Sequence, residues 1–395
     1  MLPAWVILAT SLGYLLALFA LAWYGDRRAS DPAGQHLVSN PYIFSLSIAI
    51  YCTSWTYYGS VGRAATSGFG FLPIYLGPTI VFTLGWFVLR KILRICKTQR
   101  ITSIADFISS RYGKSQLIGS LVTVIAVVGI VPYIALQLKA VSMSFGVVLA
   151  KDHDALASTL TPDNMAFAVT LVLAAFAVLF GTRHIEATEH HAGMVVAIAA
   201  ESVVKIVAFL AVGAFVVWGL YDGFGDIFAR AAADPEIARL VSMEKSAGNW
   251  ATLTLLSMAA IICLPRQFHV TFVENTNETH LNRALWLFPL YLFVINIFVL
   301  PIALGGLMWL PKGSSDADTF VLALPLAENQ PLLTLVVLVG GLSAAAAMVI
   351  VETIALSTMV CNDLVMPALL KFSRQRIEAR DRKSTRLNSS HEWIS

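Results

Sequence analysis

Nine long apolar runs, separated by short polar connections, restrict what this chain can fold into more than any other feature. Several runs exceed the roughly 20 residues that a helix needs to cross the hydrocarbon of a bilayer. A bilayer accommodates such runs because helices satisfy their own backbone hydrogen bonds. The 395-residue chain is 57% hydrophobic and only 13% charged, whereas about 25% is typical of soluble domains. We therefore predict an all-α polytopic membrane protein.

The runs predict nine spanning helices. Their approximate ranges are 4–23, 42–61, 70–95, 117–149, 164–181, 192–221, 251–273, 284–310 and 331–366. One alternate set of connections carries sixteen Lys and Arg, and the other set carries six. Because basic residues remain with cytoplasmic connections, the N-terminus is predicted outside and residue 370 onward in the cytoplasm. The first run lacks a basic leader and a small-residue cleavage site, so we interpret it as a retained helix.

Two of these runs carry polar or proline interruptions at corresponding depths. The 42–61 run reads SLSIAIYCTSWTYYGSVG, and the 251–273 run contains Pro265 near its inner end. Transporters bind solutes on helices broken near the bilayer midplane, and the five-helix separation suits two repeats. Alternatively, the hydroxyls bond back to their own helix and the proline only kinks it. The candidate solute contacts are Thr53, Ser54, Trp55 and Thr56, with Gln137, Ser257 and Ala260 opposite.

Ionisable residues inside apolar runs form the second group of candidates, because burying a charge in lipid is costly. The spacing of Glu201 and Lys205 predicts an ion pair on one helix face. Glu352 has no opposite charge one turn away, so we expect it to be protonated, hydrated or paired with Lys139 or Lys205. Gln137 and Lys139 lie two apart, and at most one of them is expected to face a cavity. The candidates for ion coupling are Lys139, Glu201, Lys205, Glu352, Ser357 and Thr358.

Several function classes find no support in the chain. It contains no Walker A loop, no G-x-S-x-G and no nucleophile–His–Asp pattern. The histidine-rich stretch 183–191 lacks the HExxH spacing and is more typical of a solvated loop than of a metal site. The four cysteines show no CxxC spacing and suggest buried thiols. We expect no catalysis by this chain, no bound metal or organic cofactor, and no nucleic-acid partner.

Five segments are similar to one family. They are ICKTQRITSIADFISSRYGKS (95–115), VPYIALQLKAVSMSF (131–145), LPRQFHVTFVEN (264–275), RALWLFPLYL (283–292) and ALSTMVCNDLVMP (355–367). With them the chain resembles the sodium:solute symporter family, in its CbrA-type branch, where a transporter-like domain precedes PAS and histidine kinase domains. The resemblance implies a LeuT-type inverted-repeat fold in a bacterial inner (plasma) membrane. A leading helix and core helices one to eight would be present, so the fold is expected to be incomplete.

The resemblance also divides the chain. Residues 1–380 correspond to a truncated symporter-like membrane domain. Residues 381–395, ending RKSTRLNSSHEWIS, resemble translated sequencing adapter and are expected to be non-native, with unknown native sequence beyond about residue 380.

The family's sodium site uses a Ser/Thr pair that would fall on Ala347 and Met348, which carry no hydroxyl. Ser357 and Thr358 lie about ten residues further along. The coupling ion is therefore expected to be Na⁺ or H⁺, with Glu352 carrying a proton or a lysine amine replacing the ion as alternatives.

Together these features favour a transporter-like sensor domain that binds, and in one version carries, a small polar solute such as an amino acid. A downstream PAS and kinase region, with its response regulator, would read the bound state. The alternative is a stand-alone sodium- or proton-coupled symporter. A sensor without transport and a scaffold without a solute remain further alternatives.

Overall fold

The computed structural model describes residues 3–29, 40–149, 162–181, 192–241, 247–313 and 315–371, and every regular element in those ranges is helical. The α-helices are α1 (Ala4–Ala29), α2 (Pro41–Ile48), α3 (Ser60–Ser67), α4 (Pro73–Thr83), α5 (Trp86–Gln99), α6 (Ile104–Arg111), α7 (Gln116–Leu149), α8 (Pro162–Gly181), α9 (Ala192–Phe215), α10 (Phe224–Ala233), α11 (Pro235–Val241), α12 (Ala247–Cys263), α13 (Pro265–Phe268), α14 (Glu278–Asn296), α15 (Val299–Trp309), α16 (Phe320–Ala327) and α17 (Pro331–Val360).

Within the described ranges, five helical stretches are long and apolar enough to cross a membrane without interruption. They are Ala4–Ala29, Gln116–Leu149, Ala192–Leu220, Glu278–Trp309 and Pro331–Lys371. Two bent pairs raise the number to seven, one bent by 60° between Trp55–Phe71 and Pro73–Thr83, the other by 55° between Gly248–Cys263 and Pro265–Val273. The 60° bend joins the end of the second predicted span to the third, whereas the 55° bend lies within the predicted 251–273 span. The described ranges therefore hold five to seven spans by length and composition, fewer than the nine predicted.

The centre of the bundle is formed by α2, α9 and α17, with α1 packed on the outer side of α9. Small residues allow these helices to approach closely, as is common within membranes. A Cβ added at Gly340 would lie 2.5 Å from Ala208 on α9, and one added at Gly25 of α1 would lie 2.8 Å from Gly193. By contrast, Leu117 and Leu121 of α7 are exposed, as expected for a face that meets lipid.

A polar network ties the helix ends on one side of the bundle. Arg94 of α5 donates to the Glu278 carboxylate at the start of α14 over 2.8 Å, and Lys97 donates to the Thr276 carbonyl over 2.9 Å. These basic residues belong to the connections that the charge pattern assigns to the cytoplasm.

All four cysteine thiols are free, but only two are buried. Cys52 and Cys96 lie in the interior, whereas Cys263 and Cys361 are exposed. The expectation of four buried thiols was wrong for the second pair, because those residues lie at the ends of α12 and α17 on outward-facing positions. An apolar run in a membrane protein has a lipid-facing side as well as a packed side.

Candidate functional site

The 42–61 run is broken at its middle. Helix α2 ends in a 3₁₀ turn at Ala49–Tyr51, and Cys52 is extended at φ −79° and ψ 97°. The helix restarts at Ser54 and continues through a π-helical turn, Trp55–Gly59, into α3. The Thr53 hydroxyl accepts from the Trp55 N–H over 3.2 Å, which satisfies a donor at the start of the second half-helix. The break therefore exposes carbonyls on one half and N–H groups on the other.

Gln137 of α7 caps the second half-helix. Its Oε1 accepts from the Ser54 N–H over 3.1 Å and from the Ser54 hydroxyl over 2.6 Å. The side chain is fully buried, yet its Nε2 has no hydrogen-bond partner in the part of the chain that the structure describes. An unpaired buried amide is costly in a folded protein. A ligand that accepts a hydrogen bond would remove that cost.

A cavity of about 140 Å³ lies against this break and against α7. It is lined by Ser54, Trp55, Tyr58, Gly59, Tyr133, Leu136, Gln137, Lys139, Ala140, Met143, Ser144, Asp316, Asp318, Thr319 and Leu322. The mouth, at Lys139, Met143, Asp316 and Thr319, is shared with a vestibule of about 740 Å³. The site is therefore an apolar pocket with a few convergent polar groups, as is usual for small-molecule sites.

Gln137 and Lys139 both line this cavity, so the expectation that at most one of them faces it was wrong. Gln137 is buried at its inner part, and Lys139 is exposed at its mouth. The long lysine stem reaches the mouth from the flank of α7. Partial burial raises the pKa of Asp318, helped by Asp316 and opposed by Lys139.

A buried ion pair lies beneath the cavity. Arg266 of α13 donates to Glu352 of α17 over 3.0 Å, and each side chain is at most 1% exposed. The guanidinium also lies 5.0 Å from the ring centroid of Tyr133, whose hydroxyl is 3.1 Å from that of Thr53. The partner of Glu352 is therefore neither Lys139 nor Lys205. The charge pattern of the sequence assigned Arg266 to a connection, although the adjacent Pro265 marks the break that places Arg266 in the interior.

Glu201 and Lys205 form no ion pair with each other in the described part of the chain, contrary to the i,i+4 prediction. Lys205 Nζ instead donates to the carbonyl oxygens of Ala49 over 2.8 Å and Cys52 over 2.7 Å. Both carbonyls lie at the break, where Ala49 accepts a 3₁₀ bond from the Cys52 N–H over 3.0 Å, and they attract the ammonium away from the carboxylate. Glu201 Oε1 has no hydrogen-bond partner among the described residues and borders a small void beside Ala347.

The 251–273 run is interrupted before Pro265, as predicted, but the predicted contacts on this run do not face the cavity. Ser257 donates to the Pro73 carbonyl over 2.8 Å and to the Thr254 carbonyl over 2.9 Å. Neither Ser257 nor Ala260 lines the cavity, and Thr53 and Thr56 are buried outside its lining, so these four predicted solute contacts are not at the cavity wall. The two breaks do meet, since Gln267 donates to the Ile48 carbonyl over 3.4 Å.

The remaining candidates lie away from the break. Ser357 is exposed, and the Thr358 hydroxyl donates to the Ile354 carbonyl of its own helix over 3.0 Å. The 183–191 stretch and the adapter-like residues 381–395 lie outside the described residues. Among the residues that are described, no three His, Cys, Asp or Glu side chains are placed to hold a metal ion.

Comparison with known proteins identifies relatives that share this architecture. The chain is 21% identical over 340 residues to the uncharacterized symporter YhjB of Bacillus subtilis (strain 168), covering 86% of this chain and 66% of that protein. It is 30% identical over 92 residues to the uncharacterized symporter YodF of the same organism, covering 22% of this chain and 18% of that protein. The chain thus spans less than two thirds of either relative. No protein-family model matches it.

A solved structure, described as a substrate-bound outward-open state of a Na⁺-coupled sialic acid symporter, superposes with a TM-score of 0.61. The match covers 91% of this chain and 75% of that one at 15% identity. The fold is LeuT-type. This confirms the predicted fold class. Both curated relatives are named as symporters, which favours the alternative interpretation over the sensor kinase.

Proposed function

We propose that the chain is the membrane part of a solute symporter, driven by Na⁺ or H⁺, that binds a small polar solute at the broken 42–61 helix. The observation that carries this proposal is the buried Gln137 amide: Gln137 lines the cavity, and its Nε2 has no hydrogen-bond partner among the residues that the structure describes. If this amide served only the fold, an apolar side chain in its place would avoid the free-energy cost of a buried donor without a partner. The symporter relatives and the LeuT-type fold support the same interpretation.

The charges around the cavity favour a zwitterionic solute such as an amino acid. The half-helix that restarts at Ser54 directs its N-terminal end toward the cavity, where the helix dipole attracts an anionic group. Gln137 Nε2 and the ammonium of Lys139 add donors on the α7 wall, while Asp316 and Asp318 line the opposite side of the mouth. A solute carboxylate would lie toward Gln137, and its ammonium toward the aspartates.

The two ends of the cavity differ in a way that supports alternating access. One end opens through the vestibule lined by Leu310, Pro311 and Asp316, which the charge pattern assigns to the outside. The other end is closed by Tyr133 and by the Arg266–Glu352 pair behind it. We propose that this is an outward-facing arrangement in a bacterial plasma membrane, and that the buried pair separates when the cavity opens inward.

The test begins with a thermal-shift screen of the purified protein against amino acids, sialic acid and small carboxylates, followed by uptake of any hit into proteoliposomes. Gln137→Glu retains an acceptor for Ser54 but loses the donor, so the affinity for the hit is expected to fall at least tenfold. Thr98→Ala, which removes a hydroxyl bonded to its own helix on the cytoplasmic side, should leave binding unchanged. Equal binding by wild type and Gln137→Glu would contradict this site.

The second candidate is the sensor, a solute-binding domain that reports to a downstream kinase and response regulator. It is supported by the similarity of the five segments described above, including 95–115 and 355–367. Equilibrium binding without uptake in vesicles favours the sensor, and uptake that follows binding favours the symporter. A PAS and kinase region encoded after residue 380 of the uninterrupted gene would link the chain to signalling whether or not it transports.

A further inference from the structure

The break in the 42–61 run holds a positive charge that belongs to the chain itself. Lys205 of α9 is 1% exposed, and its ammonium donates to Ala49 and Cys52 over 2.8 and 2.7 Å. Both carbonyls end a half-helix, where the helix dipole concentrates partial negative charge. Carbonyls at such unwound ends are the groups that bind coupling cations in transporters with broken helices. Lys205 therefore occupies the position that a cation would take.

With Lys205 in place, the surroundings provide a poor ligand set for a second cation. Ala208 lies next to Gly340, and the Glu201 carbonyl accepts from the Ser343 hydroxyl over 2.9 Å. The contacts thus run backward along α9 as they run forward along α17, so the two helices are antiparallel. This register brings the apolar Ala347 of α17 beside Glu201. Glu201 itself lies one helical turn before Lys205 on α9. Hard cations need several oxygen ligands. Here the two available carbonyls are already bound to an ammonium, which also repels a second cation.

We propose that Lys205 is a built-in cation that replaces the coupling ion at the helix break, so that Na⁺ has no site there and the break is held together without it. The inference deepens the proposed function by assigning the ion dependence of the same site. It predicts that truncating Lys205 vacates a cation site, because the two carbonyls lose the ammonium. The Glu201 carboxylate, whose Oε1 has no hydrogen-bond partner among the described residues, lies one turn away on α9.

The test measures the melting temperature Tm of the purified protein, without solute, in NaCl and in choline chloride at equal ionic strength. Wild type is expected to show the same Tm in both salts. Lys205→Ala should melt about 5 °C lower in choline, because two buried carbonyls lose the ammonium that donates to them. Added Na⁺ should restore its Tm with a saturable dependence on concentration. Lys205→Met should melt lower without recovery, because its side chain fills the space without charge.

Tyr291→Phe is the matched control. It removes a buried hydrogen bond of 2.7 Å from the Tyr291 hydroxyl to the Ser202 carbonyl, which lies on α9 together with Lys205. This variant should therefore lower Tm equally in both salts. Saturable stabilisation of wild type by Na⁺ over choline, or a Lys205→Ala protein that Na⁺ does not stabilise, overturns the proposal. The wild-type titration decides by itself if Lys205→Ala does not fold.

The outcome is separable from that of the proposed function because no solute is added. If wild type binds Na⁺, the proposal that Lys205 replaces the coupling ion fails, while the proposed solute site is unaffected. Failure of every solute to bind would remove the proposed function, while the Tm comparison would still show whether Lys205 fills a cation position.

Discussion

Arg266 and Glu352 show how a residue's role depends on its partner in this fold. Both side chains are almost fully buried and 3.0 Å apart. Two charges removed from water are tolerated only as a pair with good geometry. Neither residue has an opposite charge one turn away on its own helix, so the pairing arises entirely from the packing of α13 against α17.

Removing one member of this pair should destabilise the protein far more than removing both. Arg266→Met is expected to lower the free energy of unfolding by about 3–5 kcal/mol, because it leaves a buried carboxylate unpaired. The double variant Arg266→Met with Glu352→Leu is expected to recover most of that loss. Denaturation in detergent of the two single variants and the double variant checks the coupling. If the double variant loses the sum of the two single-variant free energies, Arg266 and Glu352 do not stabilise each other.

Ser257 gives the opposite prediction at the same scale, since its hydroxyl bonds to backbone and lies outside the cavity lining. Ser257→Ala is expected to reduce stability by about 1 kcal/mol through the lost hydrogen bond, and to leave solute affinity within twofold of wild type. A binding titration of the hit from the solute screen, run beside a melt of the same sample, separates the two effects. A tenfold loss of affinity would place Ser257 in the site after all.

At the scale of elements, the half-helix that restarts at Ser54 is held from both sides. Gln137 caps its start, and the turn at Asp316–Thr319 packs on its continuation in α3 at Gly62. A Cβ at Gly62 would overlap the Asp318 carboxylate and lie 3.1 Å from the Asp318 backbone nitrogen. The glycine therefore sets how closely the mouth of the cavity approaches the broken helix.

Gly62→Ala should displace the Asp316–Thr319 turn and weaken solute binding about tenfold, because two carboxylates at the mouth move with that turn. Gly129→Ala is the matched control, since its new Cβ meets nothing within 4 Å. Alanine is favoured over glycine in a helix by about 1 kcal/mol, so this control should bind normally and be as stable as wild type or more so. Affinity and Tm of both variants provide the comparison. Unchanged binding by Gly62→Ala would separate the turn from the site.

At the scale of the whole molecule, orientation determines which end of the cavity meets the substrate. The vestibule opens near Lys312, whereas the basic network of Arg94 and Lys97 lies among the opposite connections. Basic residues stay with the cytoplasmic side, so the vestibule is expected to face outward.

Cysteine labelling checks this orientation in a background without the four native thiols. Lys312→Cys is expected to react with a membrane-impermeant maleimide in intact cells, and Lys114→Cys only after permeabilisation. Both lysines are exposed in turns between helices, so reactivity reports the side of the membrane rather than burial. The reverse pattern would invert the proposed direction of the cavity.

The sequence by itself determined the membrane class and the positions of the broken helices, because apolar run length and interruptions are local properties. It also identified the solute candidates Ser54, Trp55 and Gln137, which the structure brings together at one cavity. These residues lie where polarity interrupts an apolar helix, which is visible without knowing the neighbours.

Only the tertiary structure decided the partners of the buried charges. The sequence predicted Glu201 with Lys205 and an open set of partners for Glu352, but Lys205 binds the carbonyls of Ala49 and Cys52 and Glu352 binds Arg266. A buried charge is stabilised by whichever group packing brings within 3 Å. That group lies 86 to 156 residues away in the chain, beyond any helical periodicity.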